Sequence, residues 1–313
     1  MERESPIFLV GCVRSGTTLL RLMLDHHPMI AFNLESEFLV TQIADDGSFP
    51  DIGIYCEWLK DDRVFQHSHF EIKDGLDFVG LAKDFLEQKR TRDGKPMVGA
   101  TIHKQFSKIS RIWPEAKYIY LFRDGRDVAN SIVRMGWEGN AYVAADWWLE
   151  AEMEWERYRE TLPDGSWMEL RYKDLIIDTM KELTRICQFL GVDYSDRMFD
   201  YVKSYSYRLP DPARTERWKQ KMSKKMLQNV EEKIGGRLLL RGYELSGYPR
   251  ITLSEIEKKY LSLHSRIGAL GCRVRKYGAW LVIRELITRR LGLKNLHRRI
   301  IRIINQVEDA NLK

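Results

Sequence analysis

Four cysteines in 313 residues, Cys12, Cys56, Cys187 and Cys272, are too few and too scattered for a disulfide framework, and no two form a Cys-x-x-Cys pair. That scarcity excludes a cysteine-rich zinc site and fits a reducing compartment. Long apolar runs are missing too. No stretch approaches the ~20 residues needed to cross a bilayer, and the opening Met1 to Pro6 leads into a short buried-strand pattern instead of a secretory apolar core. A cytoplasmic chain is the expectation. Internal repeats and low-complexity tracts are absent. With 44% hydrophobic and 11% aromatic residues the composition excludes disorder and supports a large core.

What is abundant is positive charge, but in one place. The formal net charge is +6, yet residues 251–313 hold 14 Lys/Arg against 5 Asp/Glu, so the first 250 residues are net acidic. This asymmetry predicts a catalytic or binding body, 1–250, and a basic extension, 251–313. Within the extension, Arg273 to Arg302 carries ten Lys/Arg and one glutamate among Leu281, Ile283, Leu286, Ile287, Leu291 and Ile300. Their spacing predicts one or two amphipathic helices interrupted near Gly292. Three roles stay open: a solvated outer face, peripheral contact with a membrane through 273–304, or a subunit contact. Nucleic acid is excluded as a partner by the acidic body and the want of a base-reading motif.

Short apolar runs ending at turn residues mark buried strands at 6–11, 97–102 and 117–122, with a fourth at 166–171. Helices follow them at 17–27, from just after Arg126 to about Arg134, and at 175–190. Strand and helix in alternation predict an α/β fold, a parallel sheet flanked by helices. Residues 32–95 read as a loop-and-helix insertion, 142–159 as a helix with one aromatic face, and the proline-punctuated segment 203–222 as a mobile loop.

Gly11-Cys12-Val13-Arg14-Ser15-Gly16-Thr17-Thr18 has the G-x-x-x-x-G spacing of a phosphate-binding loop between a predicted strand and helix. Successive backbone N–H groups there cradle an anion. Thr17 occupies the position at which nucleotide triphosphatases carry lysine, and the cation is Arg14, whose fork suits two oxygens of one anionic group. That departure counts against a P-loop kinase using ATP and magnesium.

The same residues, extended through Leu24 to Pro28, resemble the 5′-phosphosulfate loop of the sulfotransferases that use 3′-phosphoadenylyl sulfate (PAPS), and are most similar to the tyrosylprotein branch. A second stretch, Ile119 to Ser131, resembles the family's 3′-phosphate site, which implies Arg123 and Ser131 as its ligands. Arg171-Tyr172-Lys173-Asp174-Leu175 is similar to a family segment whose tyrosine lies by the nucleotide, and Arg217-Trp218-Lys219 to the late basic loop. The resemblance thus implies a P-loop-like sulfotransferase fold, PAPS as donor, adenosine 3′,5′-bisphosphate as product and no metal. Arg14, Ser15, Gly16, Thr17, Thr18, Arg123, Ser131, Tyr172 and Arg217 would bind the donor. Matching from Arg14 puts the branch's catalytic glutamate at Glu35, on a loop, with Lys104 and Arg14 stabilising the leaving phosphate. Glu37 and His103 are rival bases. The acceptor is a hydroxyl, read from the tail as that of a carbohydrate or glycolipid, with peptide tyrosine or a small molecule as alternatives. A non-catalytic nucleotide-binding protein held at a membrane surface is the reading from another class.

Overall fold

A computed structural model of the chain describes residues 5–310. Five strands, β1 (Ile7–Val10), β2 (Ile30–Glu35), β3 (Met97–Ile102), β4 (Lys117–Phe122) and β5 (Trp167–Arg171), form one sheet in the order β2-β3-β1-β4-β5, every pairing parallel. A strand covered on both faces must be apolar at every position. In β1, Phe8 and Val10 point into a cluster with Tyr118, Tyr120, Phe106 and Trp155, while Ile7 and Leu9 point into a second with Ile119, Leu121 and Leu20.

Helices α1 (Thr17–Asp25), α2 (Ile52–Leu59), α3 (Arg63–Ser68), α4 (Phe78–Asp93), α5 (Gly125–Arg134), α6 (Ala141–Arg159), α7 (Tyr172–Ile177) and α8 (Thr179–Leu190) alternate with the strands. Asp51, Asp62, Asp77, Asp124, Asn140 and Asp178 cap α2 to α6 and α8 by accepting from a first-turn N–H. Helix α6 buries Trp148, Trp155 and Tyr158, as its aromatic spacing predicts. Short helices α9 (Tyr201–Ser204) and α10 (Trp218–Lys221) lead to α11 (Lys224–Leu240), then α12 (Glu255–Tyr277), α13 (Ala279–Arg290) and α14 (Lys294–Ala310).

The structure departs from the sequence reading in four places. Ile30–Glu35 is an edge strand, not part of an insertion loop, so the sheet has five strands. The expected helix 175–190 is two helices, because Asp178 leaves helical geometry (φ −129°) to cap α8. Segment 203–222 is not loop throughout: it holds the short helix α10, where the Trp218 N–H donates to Asp127 at 2.8 Å and the Trp218 ring lies 3.6 Å from the Arg126 guanidinium. The extension holds three helices, because beside the expected break at Gly292 there is a second at Gly278, both glycines being at positive φ. Its helix α12 meets the body where Gly139 and Gly268 approach so closely that a Cβ on either would meet backbone within 3 Å. Ser265 accepts from the Gly139 N–H at 2.9 Å and donates to Glu138 at 2.8 Å.

Arg126, 1% exposed, ties the start of α5 to α11 by bonding Asp124 and Glu231, each at 2.7 Å, and the Glu244 carbonyl at 2.8 Å. Arg126→Leu should cost ~3–5 kcal/mol in urea unfolding, because two carboxylates would stay buried without their cation. An unchanged midpoint would show that the cluster is not what holds α5.

Candidate functional site

In a parallel sheet all carboxyl ends meet at one edge, and ligands bind there. Each of the five strands delivers a predicted site residue to that edge within one position of its end: the Gly11–Gly16 loop after β1, Glu35 closing β2, His103 after β3, Arg123 after β4 and Tyr172 after β5. Arg14, Gly16, Thr17, Thr18, Glu35, His103, Arg123, Ser131, Tyr172 and Arg217 line a single cleft.

The loop is shaped by backbone geometry. Gly11 (φ 146°) passes so close to β4 that a Cβ would sit 2.3 Å from the Leu121 carbonyl oxygen, and a Cβ on Gly16 (φ 102°) would strike the Tyr172 ring at 2.4 Å. Arg14, also left-handed at φ 69°, turns its side chain toward α5, where its Nε donates to the Ser131 hydroxyl at 3.0 Å. Unlike the helices capped by side chains, α1 starts at Gly16 with no capping side chain, leaving its N-terminal amides open to an anion.

Arg123 is held from several sides. Its guanidinium lies 4.4 Å from the Tyr172 ring centroid, pairs with Asp127 at 3.2 Å and donates to the Arg214 carbonyl at 3.0 Å, which fastens the basic loop over the cleft. Ser15 Oγ and Arg123 Nε are buried here with no hydrogen-bond partner among the described residues. A phosphate group supplies the acceptors that Arg123 wants, so the residues present fit a phosphate-bearing ligand. Ser15 itself is fully buried and helps to shape the loop without lining the cleft.

His103 and Glu37 form a pair that sequence spacing did not reveal. Glu37 accepts from the His103 backbone N–H at 3.0 Å and bonds its Nδ1 at 2.8 Å, while Nε2 lies 2.9 Å from Thr17 Oγ1. Burial disfavours the charged imidazolium, but the Glu37 carboxylate outweighs it and raises the His103 pKa. Burial likewise opposes the Glu37 charge, and His103 reverses that to hold the carboxyl below its usual range. With its proton on, His103 donates from both nitrogens, and the Thr17 hydroxyl is left free to donate into the cleft. Glu35, Glu37 and His103 also form a cluster of metal-binding size, their ligand atoms within 4.8 Å of one another. Both imidazole nitrogens, however, are already engaged.

Lys104 is exposed and lines an adjoining cavity of about 600 Å³, which shares only Val13 and His103 with the cleft. Cleft residues that sequence reasoning missed include Asn130, Arg134 and Trp137 on or just after α5, and Tyr207 to Asp211. The one available signal was helical spacing, which puts Asn130 and Arg134 beside Ser131.

This fold defines an α/β protein with a parallel five-stranded sheet flanked by helices and a glycine-loop cleft at its carboxyl edge. The model of the sulfotransferase family matches residues 6–196, more than half of the chain, and the chain belongs to that family. It is 23% identical over 212 residues to protein-tyrosine sulfotransferase A of Caenorhabditis elegans, covering 64% of this chain and 53% of that protein. To the Drosophila melanogaster protein-tyrosine sulfotransferase it is 24% identical over 221 residues, covering 64% and 41%. The chain thus spans about half the length of these relatives. In fold it is similar to the sulfotransferase domain of the Synechococcus PCC 7002 olefin synthase (TM-score 0.52, 19% identity, 78% of this chain and 98% of that one). The sulfotransferase domain of the curacin biosynthetic pathway gives the same score and identity over 78% and 100%.

The Glu37–His103 pair makes stability depend on pH in a fixed sense. Glu37, lowered below its ordinary 4.5, stabilises above that value and loses its contribution as pH falls through the folded pKa. His103, raised above its ordinary 6.5, stabilises fully below 6.5 and loses its contribution as pH rises through the folded pKa. Melting curves should therefore show Glu37→Gln most destabilising between these two values and less so in alkaline solution. A deficit that grows toward alkaline pH would contradict the pairing.

Proposed function

We propose that this chain transfers a sulfuryl group from PAPS to an acceptor hydroxyl, with the phenolic hydroxyl of a peptide tyrosine as the acceptor. The observation that carries the reading is the convergence on one cleft of Arg14, Arg123, the hydroxyls of Thr17, Thr18 and Ser131, and the Glu35 carboxylate. Arg14 with Thr17 and Thr18 suits the 5′-phosphosulfate, Arg123 with Ser131 suits the 3′-phosphate, and Tyr172 and Arg217 flank the nucleotide. No step in this scheme needs a metal.

In this scheme the acceptor oxygen attacks sulfur in line with the bond to the 5′-phosphate. A new S–O bond forms as the old one breaks, and adenosine 3′,5′-bisphosphate leaves with the charge that Arg14 and the loop amides offset. Glu35 takes the acceptor proton. Of the three candidate bases it alone has a carboxylate or imidazole without a hydrogen bond among the described residues, since Glu37 and His103 hold each other. Lys104, from the adjoining cavity, serves the acceptor side. The relatives' names favour tyrosine over a sugar. That cavity also offers Trp147 and Val143 as apolar surface, with Glu138, Asp146, Glu150 and Glu154 around it, a lining suited to a tyrosine with neutral or basic neighbours.

Transfer of label from sulfur-labelled PAPS, screened over tyrosyl peptides, oligosaccharides and glycolipids, tests this directly. Tyrosyl peptides should be labelled, and Glu35→Gln should lower turnover by about 10²- to 10⁴-fold. Sulfated sugar or lipid with unlabelled peptide would replace the acceptor, and intact turnover in Glu35→Gln would remove the base.

Donor binding has its own measurement. In calorimetry, Arg14→Ala and Arg123→Ala should each weaken adenosine 3′,5′-bisphosphate by roughly 10- to 100-fold, the loss of one charge-assisted contact. Tighter binding of ATP with magnesium than of the bisphosphate would overturn the donor assignment.

A further inference from the structure

Helix α13 is inside out. Its inward face carries Val282, Glu285 and Thr288, 1%, 4% and 3% exposed, while Trp280, Ile283, Ile287 and the following Leu291 are 71%, 46%, 50% and 66% exposed. Those four positions fall at i, i+3, i+7 and i+11, one stripe along a helix. An ordinary surface helix does the reverse. The inward glutamate is compensated by Arg273 at 2.9 Å and Arg289 at 3.7 Å, and Thr288 donates to the Arg284 carbonyl at 2.8 Å, so the inversion is a fully bonded arrangement.

The rim of the stripe decides what it fits. From Lys258 to Val307 the sequence holds 13 Lys/Arg, and its sole carboxylate is the buried Glu285. Arg284, Arg290, Lys294 and Arg299 have no carboxylate partner among the described residues. A second copy docking on this stripe would set cationic rim against cationic rim. An anionic lipid surface instead offers an apolar boundary under a layer of phosphates, complementary to both parts of the face. No described helix is long and apolar enough to cross a membrane.

We infer that α13 and the turn into α14 form a docking surface for anionic membranes, with Trp280, Ile283, Ile287 and Leu291 entering the acyl boundary and Arg284, Arg290, Lys294 and Arg299 meeting lipid phosphates. The surface does not depend on the sulfuryl-transfer reading, since none of these residues lines the cleft.

Flotation of the full chain with vesicles tests it, using phosphatidylcholine alone and phosphatidylcholine with roughly one-third phosphatidylserine, at about 0.1 M salt. The wild-type chain should float with the anionic vesicles and stay behind with the neutral ones. Trp280→Ser with Ile287→Ser, and separately Arg290→Glu with Lys294→Glu, should each lower the partition coefficient about tenfold or more while melting temperature and bisphosphate binding hold. All four side chains are exposed, so both pairs should fold. Failure of the wild-type chain to float overturns the inference, as does binding unchanged in both double variants, which would place the contact elsewhere. A stable dimer that the apolar pair turns into a monomer would assign the stripe to a second copy and overturn it equally.

Discussion

Parallel alignment of five strands is the constraint on which the site rests. Because every strand points the same way, every carboxyl end lies on one edge, and segments distant in sequence arrive there together: Arg14, Glu35, His103, Arg123 and Tyr172 span almost 160 residues yet line one cleft. The sheet can run this way only if both faces are covered, and the two apolar clusters flanking β1 supply that cover. Core and site are in this sense one arrangement.

Within the cleft the governing problem is how to keep two arginines close together before an anion arrives. Arg123 donates to the Arg14 backbone carbonyl, and both side chains line the cleft. Asp127 offsets part of the charge, the Tyr172 ring accepts part through its face, and Ser131 occupies the Arg14 fork with a neutral hydroxyl. None of these contacts is as strong as a bidentate bond to phosphate. The site is therefore organised without being satisfied, a condition that favours the entry of an anion. Next to it the Glu37–His103 pair is fully satisfied, which is why it serves as a wall that orients Thr17 and leaves the free carboxylate to Glu35.

Strand–loop–helix units with strong local signals were legible in the chain. The glycines of the phosphate loop, the apolar runs at 97–102 and 117–122, and the arginine following the latter fell where spacing placed them. β2 escaped because Asn33 and Glu35 interrupt its apolar pattern. Asn33 is buried by donating to Ser36, and Glu35 ends the strand at the cleft. The break at Asp178 escaped because helical periodicity runs through it unbroken, and only the cap contact to Lys181 ends one helix and starts the next.

By itself the sequence determined the α/β class, the phosphate-binding loop, the placing of positive charge in the last sixty residues and the resemblance to the sulfotransferases, all of which depend on neighbours within a few turns of chain. Only the tertiary structure decided which glutamate is free and which is locked to His103, that Lys104 lines a different cavity from Arg14, and that α13 turns Glu285 and Thr288 inward. The physical reason is the same in each case. A carboxylate's role and a helix's facing are set by the groups brought against them, and Glu37 to His103 or Glu285 to Arg273 are contacts that no local pattern encodes.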